Sequence, residues 1–151
     1  MGFWYTPAKE RLAKGDFDWD EAAHDVRLLL CMSNTTADTD QDAATLSAIT
    51  TLDEYDGAGY SPAALASQTV TRDDANNRVE LGASSPVSFG STVAAGTRNV
   101  VGAIVYRHVD GTAANDLPIA WLDNGGSPFA VNGGGGAFTL TIDAEGLLQV
   151  T

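Results

Sequence analysis

Ala137-Phe138-Thr139-Leu140-Thr141-Ile142, then Asp143-Ala144-Glu145-Gly146, then Leu147-Leu148-Gln149-Val150-Thr151: the chain closes on two alternating runs joined by a four-residue polar connection that ends in glycine. Alternation with period two places every second side chain on one face of a strand, and a short polar connection ending in glycine reverses the chain. The pattern predicts a C-terminal β-hairpin. A chain patterned this way is built as a sheet module.

Working back toward the N-terminus, the same pattern recurs. Leu117-Pro118-Ile119-Ala120-Trp121-Leu122-Asp123 reads as a strand, followed by the turn Asn124-Gly125-Gly126 and the flexible run Gly133 to Gly136. Val100 to Val109 is the longest strand candidate, with Val101, Ala103 and Val105 on one face and Gly102, Ile104 and Tyr106 on the other. Leu65 to Arg72 and Arg78 to Leu81 bracket Asp73-Asp74-Ala75-Asn76-Asn77, whose turn-forming residues predict a second hairpin. Pro86 to Gly90 adds a short edge strand, and Val26 to Met32, apolar almost throughout, reads as the first strand and a central one. Seven or eight strands with glycines between them make a mainly β chain: a single-domain antiparallel β-sandwich or barrel spanning 1–151.

Two segments depart from that pattern. In the arm 1–20, Pro7 to Gly15 reads as a short helix, with proline in its first turn and glycine at its end. Phe3, Trp4, Tyr5, Phe17 and Trp19 surround it; they cap one end of the sheet or anchor a neighbouring subunit. The stretch 33–62 is a long polar excursion, with a short helix expected over Ala43 to Ile49.

Twenty acidic against eight basic residues give a net charge of −12, which argues against binding nucleic acid or an anionic membrane. No stretch approaches the roughly 20 apolar residues of a membrane helix. Phe3-Trp4-Tyr5 stands where a secretory leader would carry a basic head, so synthesis in a cytoplasm is expected. The lone Cys31 sits in an apolar run and reads as a buried hydrophobe.

Chemistry is sought next. His24 and His108 lie in no nucleophile motif, and Ser61 and Ser127 precede prolines. Asp38, Asp40 and Asp42 copy the start of a calcium loop, but Ala43 and Ile49 replace its glycine and its closing glutamate. A looser calcium site shared with Asp53, Glu54 or Asp56 stays open, as does a carbohydrate-binding module using Tyr60, Tyr106 and Trp121 as stacking platforms. The four-glycine run lacks the lysine and helix of a phosphate loop. No catalytic residues, metal ligands or cofactor emerge, and a non-enzymatic role is expected.

In order, the chain carries Phe17-Asp18-Trp19-Asp20, Val26 to Leu30, Asp56-Gly57-Ala58-Gly59-Tyr60, Val100 to Tyr106, Leu117 to Asp123 and Phe138 to Leu148. This succession resembles a family of small tailed-bacteriophage virion proteins, some of them similar to capsid decoration or cement proteins. The resemblance implies a structural role on the outer capsid surface of a virion. Its partners would be the major capsid protein and copies of itself in a homotrimer. A neck or tail accessory protein, or the base of a fibre, is the alternative. Composition then points to Phe3, Trp4 and Tyr5 as a docking segment, with Lys9, Arg11 and Lys14 supplying charge contacts to an acidic shell.

Overall fold

The computed structural model describes residues 2–123, 136–143 and 145–151. In chain order these form β1 (Phe3–Trp4), α1 (Thr6–Lys14), β2 (Asp25–Met32), β3 (Ala63–Ala64), β4 (Thr69–Asp73), β5 (Arg78–Gly82), β6 (Val87–Val93), β7 (Val100–His108), β8 (Leu117–Asp123), β9 (Gly136–Leu140) and β10 (Leu148–Val150). The fold is mainly β, sandwich-like, with a short N-terminal helix. The described residues form ten strands beside the expected seven or eight, chiefly because β1 and β3 are two-residue pieces that only sheet pairing defines.

One layer is an antiparallel sheet in the order β1-β8-β7-β2-β3. The middle strand is β7, with β2 beside it, and Leu29 pairs with Ile104, which pairs with Trp121, which pairs with Phe3. The first strand is therefore β1 and not β2; its two residues are too few to show a period and are recruited by the edge of β8. Helix α1 starts at Thr6 with Pro7 in its first turn and stops before Gly15, whose φ of 74° lets the following amides turn back onto the helix. The Gly15 N–H donates to Leu12 O at 3.2 Å, and Asp16 N–H donates to Arg11 O at 2.9 Å.

The expected C-terminal hairpin is not formed. Its turn is present, closed by Gly146 N–H to Asp143 O and Glu145 N–H to the Asp143 carboxylate, both at 3.0 Å, but the two arms diverge. β9 pairs with β6 and β10 pairs with β5. Because β5 and β6 follow one another around the bend at 83–86, the two ladders are halves of one ribbon folded through a corner, the way strands pass between the sheets of a sandwich. The C-terminal turn tracks that bend: Leu147 N–H donates to Leu81 O at 2.8 Å and Ile142 N–H to Ser85 Oγ at 2.9 Å. Gly146 lies against Leu81 at a φ of 87°, where a side chain would meet Leu81 O.

The ribbon forms the second layer together with β4. Phe89 and Phe138, ring centroids 5.5 Å apart, lie over Leu30, Ala103 and Leu122 of the first sheet around a small apolar cavity of about 80 Å³. The predicted β4–β5 hairpin is present, with Asp73 opposite Arg78. Its Asp73 carboxylate caps the amides of Ala75 and Asn76, which is the turn chemistry the sequence carries.

The excursion 33–62 is tied to the body. Thr6 N–H donates to Gln41 O, Leu46 N–H to Asp116 O and Ser47 N–H to Ala113 O, at 2.8 to 2.9 Å. The helix expected over Ala43 to Ile49 shrinks to a single 3-10 turn, Leu46–Ala48, because those amides bond to the 113–116 loop. Beyond the short β3, the edge of β2 is closed by Tyr55 N–H to Leu30 O and by Leu30 N–H to the Tyr60 hydroxyl, both 2.9 Å. The turn Asn124-Gly125-Gly126, Ser127 and the run Gly133 to Gly135 lie outside the described residues; Gly136 opens β9.

Candidate interaction site

β1 is an edge strand of the first sheet, and β10 is an edge strand of the three-stranded sheet β10-β5-β4. The two edges are joined through a side chain: the Trp4 indole N–H donates to Gln149 O at 3.0 Å. Trp4 lines a hollow shared with Gly2, Trp121 and residues 146–149. Trp4 also lines a larger groove of about 550 Å³, together with Phe3, Lys9, Leu12, Ala13, Gln149, Val150 and Thr151. That volume falls in the range of ligand-sized clefts. The lining is apolar apart from Gln149, Thr151 and the Lys9 ammonium, and Val150 is 36% exposed.

The residues singled out in the sequence divide on this geometry. Phe3, Trp4 and Lys9 meet in the groove. Tyr5 does not: it is fully buried, and its hydroxyl donates to Ala37 O at 2.8 Å. Tyr5, the residue that caps the start of α1, is thus a core residue that pins the arm to the excursion and is unavailable to a partner. Burial pushes its hydroxyl well above the ordinary tyrosine range. Arg11 is half-buried and spends its guanidinium on Ala44 O at 2.8 Å, with burial and the nearby Arg107 lowering its pKa. Lys14 points elsewhere and pairs with Glu10 at 2.5 Å on the exposed side of α1; the bond raises its pKa and lowers that of Glu10. Leu12, Ala13 and Val150 join them in the groove. Helical spacing places Lys9, Leu12 and Ala13 on one face of α1, whereas nothing in the sequence brings Val150 beside them.

Charge is distributed unevenly around the groove. Lys14, Arg27, Arg72, Arg78 and Arg98 are each paired with a carboxylate. Among the described residues, Lys9, Arg11 and Arg107 lack such a partner, and Arg11 lies close enough to Arg107 to feel its charge. Lys9 is the exposed member of the three.

The other candidates are placed as follows. Tyr106 and Trp121 are buried, and Tyr60 is half-buried with its hydroxyl accepting from Leu30 and its ring 6.0 Å from Phe89, so none offers a face to a sugar. Burial pushes the Tyr106 hydroxyl up to about 12 and raises Tyr60 further. Of the acidic residues, Asp40 serves Thr36 and the Thr50 amide, Asp53 pairs with Arg98, and Asp56 holds Thr97. Those bonds hold the three carboxyls below the usual range. Glu54 is pushed up by burial. Among the described residues no three ligating side chains converge on a metal-sized point. His24 stacks on Phe17 at 5.7 Å, and His108 Nδ1 lies 3.2 Å from the buried Asp116, whose other oxygen accepts from Val109 N–H. Cys31 is buried, and desolvation raises its thiol pKa far from a reactive value.

Compared with family models, curated proteins and solved structures, the chain gives no match. The reading of its function therefore rests on the residues themselves.

Proposed function

We propose that this chain is a non-enzymatic virion protein of a tailed bacteriophage, a capsid decoration protein that seats as a trimer on the outer capsid surface. The observation that carries the reading is the groove beside Trp4. Among the described residues Lys9 has no carboxylate partner, and it lines an apolar cleft beside the edge strands β1 and β10. Apolar surface rimmed by polar groups is the usual mark of a protein contact. A body that binds an assembled shell, and not its separated parts, shifts the equilibrium toward the shell. Three weak contacts on one trimer act together, since the second and third are effectively intramolecular.

The test uses capsids of the encoding phage stripped of this protein. Wild-type protein is expected to co-sediment with them to saturation, and Trp4→Ala combined with Lys9→Ala to lose most of that binding while keeping its far-ultraviolet circular dichroism. Tyr5 is left intact, since its loss would unfold the arm. Full occupancy by the double variant would overturn the assignment of the face, and failure of the wild type to bind capsids would overturn the reading.

A further inference from the structure

Across the first sheet, Leu30 of β2 pairs with Ala103 of β7, and Ala103 pairs with Leu122 of β8, so the three side chains stand in one row on one face. An alanine between two leucines leaves a notch, because facing layers stand about 10 Å apart and a methyl group fills little of that gap. The second layer does not fill it either: Phe89 and Phe138, with ring centroids 5.5 Å apart, and Leu140 cover the notch and leave a cavity of about 80 Å³. Asp123 and Thr139 are the polar members of its lining. Thr139 is exposed and alternates with Phe138 and Leu140 along β9, which turns its hydroxyl away. A buried water takes about two to four polar partners, and the rings and methyl groups offer none. We infer that this cavity is a binding site for small apolar molecules, guests of a few heavy atoms without hydrogen-bonding groups. Its volume sets the upper limit. A dry apolar cavity of about 150 Å³ admits benzene or xenon, so one of about 80 Å³ takes the smaller guest and excludes the ring. The site is separate from the groove beside Trp4, with no lining residue in common, and does not depend on capsid docking.

The probe is xenon, dissolved under pressure in a solution of the full chain with carbon-13-labelled leucine methyl groups. Saturable shifts are expected at Leu30, Leu122 and Leu140, with Leu46 and Leu65, buried elsewhere, left in place. Benzene is expected to give no saturable shift at the same methyl groups. Ala103→Val places two further methyl groups in the space. It should abolish the xenon shifts and keep or raise the Tm, because filling a void adds packing whereas overfilling a closed core lowers stability. No saturable shift in the wild type, or shifts that persist unchanged in Ala103→Val, would overturn the inference. So would an Ala103→Val protein that melts lower or fails to fold, since the space would then be filled already. Benzene binding equal to that of xenon would refute the size assigned to the guest.

Discussion

Substituting Gly102 with alanine tests the packing that supports the groove. Gly102 is buried in β7, and the ring of Trp121 lies across it; a Cβ built there would overlap the Cζ2 atom of Trp121 and meet Leu122 O at 2.6 Å. Trp121 in turn pairs with Phe3 and bounds the hollow under Trp4, so the crowding is passed to the interaction site. Alanine relieves the entropic penalty of a mid-strand glycine, worth about 0.5–1 kcal/mol. Overpacking a closed core costs about 1–3 kcal/mol, and here the obstacles are a large buried ring and a backbone carbonyl, neither of which swings aside. With a large ring and a carbonyl in the way the cost lies at the upper end of that range, leaving a net loss of about 2 kcal/mol, or a Tm lower by about 4–8 °C for a chain of this size. Urea unfolding should show a lower midpoint at unchanged slope. Trimming the ring with Trp121→Leu should make the two losses less than additive, because the second change removes the atoms the first one strikes. A Gly102→Ala protein as stable as the parent, or strictly additive losses, would refute the contact.

Glu54→Gln should raise stability near about pH 7 and change nothing near about pH 3. Burial raises the folded pKa of Glu54 above its unfolded value, so its contribution favours folding at low pH and is lost as pH rises through the folded pKa; paired urea melts at the two pH values check it. The lowered pKa values of Asp40, Asp53 and Asp56 act oppositely, and their support is lost as the solution is acidified below the ordinary aspartate range. Tyr5→Phe removes the donor to Ala37 O and should cost about 1–2 kcal/mol in the same assay. It should leave capsid binding intact, which separates the buried Tyr5 from the edge-facing Trp4.

Much of the body is legible in the sequence because its information is local. The β4–β5 turn carries its own capping aspartate, α1 carries its proline and glycine, and β2, β7 and β8 are continuous apolar runs. What escapes is pairing. Asp143 to Gly146 encodes a reversal and nothing more; which edges receive the flanking runs depends on Leu81 and Ser85, some sixty residues earlier in the chain. The same limit applies to the site. Phe3, Trp4 and Lys9 stand out by composition, yet the direction of Tyr5 depends on Ala37, and Val150 joins the groove only through a partner strand.

The folded ribbon has a kinetic consequence. One stretch, 136–151, bonds to β6 with its first half and to β5 with its second, so it straps two sheet fragments that have no other shared ladder. Its ladder pairs join residues some forty to seventy positions apart, and closing loops of that length precedes any reward in contact energy. The strap is therefore expected to form late in folding, and pulse-labelled amide exchange at 148–150, protected after the β2–β7 core, is the measurement that checks it.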